Sequence, residues 1–385
     1  MYAYCTLVMH NPAYLCGALV LFDSLRRHGT KADLVLMVTA DVAESESMGR
    51  ARAVLTATEG GPVSMRATIV TVPLITAQAI QAQSKRFAHM YGWIDHCFTK
   101  YNALGLTQYD KVVFLDADMF AVGPLRDPTS ESDNDTLFGL AAPAGICSTV
   151  PAEEQDAQHG RLLADDVVRS AIDTDYGIRG CLLVLEPNQA DLDAIKTLLQ
   201  RRGSYGATDR HIGPDERLIS EFYASDDAPA KRQWTHVHAR FGSNSWGSNT
   251  FEPVLVHFVS EKPWSYKTYW DDFKLWEDAA RSLCAAHPDL RPLFDQHAPK
   301  LFSRASQVGR GSSSSNQGAR GDDDRDWRRR DPERWDREKD RDRDRNRERD
   351  RDSRDRRSQP RYDDRDRQED RRQGRHEQDR ERKRY

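Results

Sequence analysis

The segment FLDADMF (Phe114–Phe120) sets two carboxylates two residues apart, straight after the apolar run KVVFL (Lys111–Leu115). Residues i and i+2 of an extended segment point the same way, so Asp116 and Asp118 are expected to face one point. That point lies at the carboxyl end of a strand, where open α/β sheets bind ligands. Two close carboxylates repel each other unless they share a proton or a cation lies between them. Oxygen donors with open positions suit Mn²⁺ or Mg²⁺ holding a diphosphate. A D-x-D triplet also occurs as an ordinary Asp-rich surface turn. Its place after a buried strand is what favours the functional reading.

A second constellation is VLVHFVSEKPW (Val254–Trp264). His257 sits inside an apolar strand pattern, where an imidazole needs a partner. A lone His there is more often a core histidine. Lys262 follows five residues on, then Pro263-Trp264. Near a metal-diphosphate site such a Lys holds phosphate as a point charge. Taken singly, Lys262 reads as a solvated lysine and Trp264 as a packing residue, so only the combination informs. A third stretch, WTHVHARFGSNSW (Trp234–Trp246), either presents Trp234, His236, His238 and Trp246 to a substrate or packs on the domain. Its H-x-H pair is a weak second metal hypothesis.

The elements that must hold these residues alternate. Apolar runs at Tyr4–Val8, Leu34–Val38, Thr68–Val72 and Lys111–Leu115 read as strands. Helical spacing fills Ala13–Arg27, Val42–Thr58 (closed by Glu59-Gly60-Gly61) and Ala77–Leu106 between them. Strand–helix–strand alternation predicts an α/β fold, with a mostly parallel central sheet and helices on both faces. Further on, Leu137–Ala141, Cys181–Leu185 and Val254–Phe258 are expected strands. Gln158–Ser170, Gln189–Arg201, Asp215–Tyr223 and Trp264–Ala280 are expected helices. Pro143 to Gly177 reads as a long polar insertion of the kind that forms a lid or binding loop.

Composition divides the chain. Of 385 residues, 306–385 hold 28 Lys+Arg and 23 Asp+Glu with six apolar residues, net +5, which leaves net −9 on 1–305. A disordered tail is expected at 306–385, because so little apolar surface cannot offset chain entropy. Residues 1–305 are long enough for one large domain or two small ones. The tail mixes Arg with Asp and Glu so evenly that its charge nearly cancels beyond a Debye length. It reads as solubilising and weakly self-associating, with RNA or protein binding as the other expectation. No apolar run of about 18 residues exists, so no membrane span is expected. The N-terminus has no basic n-region and reads as a strand and helix rather than a signal peptide. Cys5, Cys16, Cys97, Cys147, Cys181 and Cys284 are scattered without a C-x-x-C pair, which fits a reducing, cytoplasmic setting.

Four segments resemble family 8 glycosyltransferases of the glycogenin-like group, in that family's order: TLVMHNPAYLCGALVLFDSL (Thr6–Leu25), FTKYNALGLTQYDKVVFLDADMFAVGPL (Phe98–Leu125), RGCLLVLEPN (Arg179–Asn188) and HFVSEKPW (His257–Trp264). The resemblance covers about 1–275 and implies a GT-A (Rossmann-like) fold. It implies that Asp116, Asp118 and His257 bind the metal, Mn²⁺ or Mg²⁺, and that Lys262 holds diphosphate. It implies nucleoside contacts from Leu7, Asn11 and Tyr14 and donor contacts from Asp116 and Ala117. Lys100 and Asp215 fall beside the donor sugar, with Glu216 where the family often has Gln. By position alone, Asp215 after Pro214 reads equally as a helix N-terminal acid.

The chain departs from the family at Ile178-Arg179-Gly180, where Asn-x-Gly is usual. Ser260 replaces a Gly, and the His-to-Lys interval is one residue shorter. No Tyr lies near Arg240-Phe241, so glycogenin-like self-glucosylation is not expected. The implied function is a metal-dependent retaining hexosyltransferase, with a UDP-sugar donor (UDP-glucose or UDP-galactose) and a glycan or protein acceptor, as a homodimer. The alternative is an inactive nucleotide-sugar-binding protein that acts through its tail as an RNA-binding or scaffold protein.

Overall fold

The computed structural model describes residues 1–57, 65–79, 93–126, 135–174, 177–202, 204–205, 213–224, 232–244, 251–259 and 261–303. The chain divides into two units, Met1–Ser314 and Ser315–Tyr385. The second, and with it the charged tail, lies outside the described residues. So do Glu59-Gly60-Gly61, Gly92, Ser260 and Trp246.

The described residues form twelve strands: β1 (Tyr2–Val8), β2 (Asp33–Val38), β3 (Thr68–Thr71), β4 (Gln78–Ala79), β5 (Lys111–Leu115), β6 (Met119–Ala121), β7 (Ala144–Cys147), β8 (Ile178–Leu185), β9 (Ser204–Tyr205), β10 (Thr235–His236), β11 (Ser243–Asn244) and β12 (Leu255–His257). Seven form the central sheet in the order β10-β7-β8-β5-β1-β2-β3. It is mostly parallel; only β8 runs against its two neighbours, β5 and β7.

Alternate strand residues feed two separate cores, as period-2 geometry requires of a sheet buried on both faces. Tyr4, Leu34, Leu36, Val113, Leu115, Leu182 and Val184 face one core. Ala3, Cys5, Val35, Met37, Val112, Phe114, Leu183 and Leu185 face the other. The first core is closed by α1 (Tyr14–Arg27), which α2 (Ala40–Ala43) and α3 (Glu46–Leu55) follow in sequence, and on the far side of the chain by α8 (Phe273–Ala286), α9 (Arg291–His297) and α10 (Lys300–Ser303). The second is closed by a 3₁₀ run, Ile94–Gly105, and by α5 (Asp165–Thr174), α6 (Gln189–Arg202) and α7 (Pro214–Ala224); the single turn α4 (Gln155–Gln158) precedes α5. The α/β class is as the alternation predicts.

Several elements differ from expectation. The helix expected over Val42–Thr58 splits at Glu44–Ser45, where the Ser45 side chain caps α3 by accepting from Met48 N at 3.1 Å. Leu137–Ala141 is a 3₁₀ turn (Thr136–Gly139), and the strand follows it as β7. Trp264–Ser265 belongs to a turn, and the helix starts only at Phe273. Of the expected helix Ala77–Leu106, the described part is β4 and the 3₁₀ run. The polar insertion at Pro143–Gly177 contributes β7, α4 and α5, so its described part is structured rather than an open loop. Apolar periodicity marks what is buried, and tertiary contacts decide the backbone form.

The small sheet β11-β12-β6 has the largest consequence. Strand β12 pairs antiparallel with β6, Val256 opposite Phe120 and His257 opposite Met119. Residues distant in sequence are thereby joined one position after Asp118. Among the described residues, no helix is long and apolar enough to cross a membrane.

Candidate functional site

Strand β5 ends at Leu115, and Asp116-Ala117-Asp118 is a turn rather than a strand continuation. Met119 N donates to Asp116 O at 3.0 Å and closes it, and Asp116 N donates to Cys181 O at 2.9 Å on β8. The two carboxylates converge by turn geometry, not by the expected extended alternation. They meet on His257, whose Nε2 lies 3.3 Å from Asp118 Oδ1 and 3.9 Å from Asp116 Oδ2. Phe258 N donates to Asp118 O at 3.0 Å and fixes the β12 end against the turn. Asp116, Asp118 and His257 each offer a ligand atom, all within 4.8 Å of one another. Two carboxylate oxygens and an imidazole nitrogen form a donor set that fits Mn²⁺ or Mg²⁺.

Lys262 Nζ sits 2.6 Å from Asp118 Oδ2. It also donates to Phe258 O and, at 2.9 Å, to Val259 O, so the short loop after β12 wraps its own ammonium toward the acids. Lys100, from the 3₁₀ run, bridges Asp116 Oδ1 at 3.2 Å and Asp215 Oδ2 at 2.8 Å and donates to Gly180 O at 3.1 Å. Asp215 occupies the first turn of α7, where the helix dipole favours a carboxylate. Its carbonyl accepts from Tyr101 Oη at 2.5 Å. The helix-terminal place and the pairing with Lys100 hold together.

The electrostatics separate the two acids. Burial and the charge of Asp118 raise the pKa of Asp116 against the pull of Lys100 and His257. Burial would also raise Asp118, but Lys262 and His257 outweigh it and hold this carboxyl well below its usual range. Burial disfavours the His257 imidazolium, yet Asp118 and a hydrogen bond with Cys181 push it up to about 10. Burial is likewise outweighed at Lys100, which Asp116 and Asp215 raise. Glu216 goes up to about 8, through burial and the neighbouring Asp215.

Two glycines let the parts approach. A Cβ on Gly17 in α1 would stand 2.3 Å from Ala117 O and 2.6 Å from the Trp264 ring. A Cβ on Gly180 would stand 2.8 Å from Asp215 Oδ2 and 3.2 Å from Lys100 Nζ. Trp264 packs on Tyr14, ring centroids 5.1 Å apart, and on Trp276 at 5.7 Å. The K-P-W tryptophan thus clamps α1, the acidic turn and α8 together. Tyr14 lies near both acids, and burial with their charge raises its phenol. Leu7 is half-buried near the end of β1. Asn11 is exposed, and its Oδ1 accepts from Ala13 N at 3.0 Å, ahead of α1.

The third expected constellation is not a ligand surface. Trp234, His236 and His238 are buried, at 1 %, 0 % and 1 % exposure. His236 Nε2 meets Gln155 Oε1 at 3.0 Å, and its Nδ1 accepts from Cys147 N at 3.4 Å. His238 Nδ1 accepts from Arg240 N at 2.9 Å, and its Nε2 lies 3.2 Å from Asp156 Oδ1. The ring nitrogens are spent on packing partners, so the loop presents none of these three side chains to an acceptor.

Three side chains near the site were not singled out for chemistry. Glu216 Oε1 accepts from Gly180 N at 2.8 Å. Arg179 precedes Gly180 in the chain, and its charge acts on Glu216. His10, with φ of 59°, pairs with Asp41 Oδ2 at 3.2 Å at the carboxyl end of β1. The signals were the departure from Asn-x-Gly and the His10-Asn11-Pro12 turn after the first strand.

The chain thus has a mostly parallel α/β sheet with a turn-borne acid pair, an imidazole and two lysines at its carboxyl edge. Among known proteins, it is 28 % identical over 273 residues to the uncharacterized protein R707 of Acanthamoeba polyphaga mimivirus, covering 69 % of this chain and 83 % of that one. It is 22 % identical over 281 residues to UDP-glucuronate:xylan alpha-glucuronosyltransferase 1 of Arabidopsis thaliana, covering 69 % and 33 %. It is 25 % identical over 260 residues to glycogenin of Neurospora crassa, covering 66 % and 30 %. The chain therefore spans about a third of the length of the latter two. The galactosyltransferase LgtC aligns in structure over 76 % of this chain and 99 % of its own, with TM-score 0.44 and 16 % identity. No family model matches. These relatives bear out the resemblance to glycogenin-like family 8 glycosyltransferases. RNA binding and a homodimer find no support in the described residues or the relatives.

Proposed function

We propose that the chain is a metal-dependent retaining glycosyltransferase that moves a sugar from a nucleotide diphosphate donor, a UDP-sugar, to an acceptor hydroxyl on a glycan or protein. The convergence of Asp116, Asp118, His257 and Lys262 carries this reading. The glucuronosyltransferase and glycogenin relatives support the sugar-transfer part of it.

Asp116, Asp118 and His257 would hold a divalent cation, which supplies Lewis-acid stabilisation of the departing diphosphate. The chain's own residues do the rest. Lys262, fixed by two carbonyls and Asp118, offers the diphosphate an ammonium already in place, so little reorganisation is needed as charge develops. Lys100 holds Asp116 and Asp215 at fixed separation. It thereby orients the acids on the metal side and the sugar side relative to each other. Asp215, paired with Lys100, is assigned to the positive character that grows at the anomeric carbon. Asn11 and Tyr14, at the start of α1, are assigned to the nucleoside together with Leu7 and Ala117. Residues 1–305 are proposed as the catalytic domain and 306–385 as a solubilising tail.

The test is Mn²⁺-dependent release of nucleotide from a panel of nucleotide sugars. Asp118→Asn is expected to lower turnover by about 100-fold or more while leaving the melting temperature close to the native value. Undiminished turnover in EDTA, or in that variant, rules the mechanism out.

A further inference from the structure

Arg179 is a half-buried cation on β8. It shares a strand face with Cys181, because alternate residues point the same way. Its Nη1 donates to Gly242 O at 3.3 Å, and a Cβ built on Gly242 would stand 3.4 Å from Cys181 Sγ. Gly242 leads straight into β11, whose Asn244 pairs with His257. The guanidinium therefore belongs to the His257 side of the sheet, two residues or about 7 Å along the strand from Cys181. Its neighbour Gly180 takes Lys100 on its carbonyl and Glu216 on its N–H. One peptide thus links Arg179 to the residues assigned to the donor sugar.

The other cations around the pocket have acid partners. Lys100 has Asp116 and Asp215, Lys262 has Asp118, and Arg240 has Asp156. Among the described residues Arg179 has no carboxylate within ion-pair distance, and its one hydrogen bond uses one of five N–H donors. Glu216 feels its charge, but burial and Asp215 push that carboxyl up to about 8, so it is mostly protonated at neutral pH and does not neutralise the arginine. A planar donor fork left open on a half-buried strand matches a carboxylate bidentately.

We propose that Arg179 receives a carboxylate on the transferred sugar, so that the donor is a nucleoside diphosphate hexuronic acid rather than a neutral hexose. The inference rests on the nucleotide-sugar reading and narrows it. The chemistry is unchanged. The anomeric C–O bond to diphosphate breaks with its electron pair going to the diphosphate. A C–O bond to the acceptor oxygen forms, and the acceptor proton leaves with the nucleoside diphosphate. The carboxylate is a handle and takes no part.

The experiment compares UDP-glucuronate with UDP-glucose on the full chain with Mn²⁺, first as donor hydrolysis without acceptor. The wild type is expected to favour UDP-glucuronate in kcat/KM by about tenfold or more. Arg179→Gln is expected to lower the value for UDP-glucuronate about tenfold more than that for UDP-glucose, and Arg179→Lys to restore part of it. Equal or better use of UDP-glucose by the wild type overturns the inference, and this arm needs no variant. A parallel loss on both donors in Arg179→Gln also overturns it, since a folding defect does not discriminate. So does a preference seen only with a carboxylate-bearing acceptor, which would place the anion on the other substrate. In each of these the nucleotide-sugar reading survives. Absence of turnover with every nucleotide sugar removes that reading and this inference with it.

Discussion

Glu216 is a carboxyl that the fold keeps partly protonated. Burial and Asp215 raise its pKa from 4.5 to about 8, and the Gly180 N–H and Lys100 only moderate this. The folded state therefore binds more protons than the unfolded chain between those two values. By linkage, this group's contribution to stability falls as pH rises from about 4.5 towards 8. Glu216→Gln keeps the acceptor for Gly180 and removes the titration. Urea unfolding of the two proteins across that window is expected to show a smaller loss of stability with rising pH in the variant; parallel profiles would contradict the assignment. Asp116 and Asp118 were legible from their spacing after a buried strand, whereas His257 and Lys262 became legible only through the resemblance, since a lone His in an apolar run reads as core and a lone Lys as solvated. Arg179 on β8 and Glu216 on α7 were not legible as chemistry, since a charged residue on a strand or helix is normally solvated and its burial is set by neighbours far away in the chain.

Elements set the distances. The turn after β5 packs so closely under α1 that a Cβ on Gly17 would run into both Ala117 O and the Trp264 ring. Gly17→Ala is expected to destabilise the protein by about 1–3 kcal/mol, as overpacking does. It should also raise the metal concentration needed for half-maximal activity, because the acidic turn must shift. A thermal melt and a Mn²⁺ titration check the two effects. The β10 region behaves differently. His236 and His238 are held down to about 4 from 6.5, first by burial and then by nearby positive charge, from His159 and His238 for the former and chiefly Arg240 for the latter. Groups with depressed imidazole pKa take up protons on unfolding, so stability is present above about 6.5 and is lost as pH falls towards 4. His236→Gln is expected to flatten this acid limb in a pH series of melts; an unchanged limb would assign the loss to other groups. Periodicity in the sequence located most of these elements, but whether the WTHVH stretch faces a substrate or a core was set by α4, which covers it through Gln155 and Asp156.

For the whole molecule, composition and fold lead to the same division of labour. Every residue assigned to the site lies within residues 1–305, while 306–385 carry 51 charged and six apolar residues. A chain truncated after residue 305 is expected to keep its kcat/KM and to lose solubility; loss of turnover would give the tail a catalytic part. The two titrations above oppose each other between about 4.5 and 6.5, where two histidines outweigh one glutamate, so stability is expected to be greatest near pH 6.5 and to fall on either side.

The sequence by itself determined the alternation of strands and helices, the acidic turn after KVVFL, the imidazole and ammonium of HFVSEKPW and the sharp change in composition near residue 306. Each of these is a local property of residue type and spacing. Only the tertiary structure decided that His257 pairs opposite Met119, that Lys100 ties Asp116 to Asp215, that His236 and His238 are packing residues and that Arg179 keeps an open guanidinium. Those facts depend on strand pairing and burial between segments up to 138 residues apart, which short-range pattern does not encode.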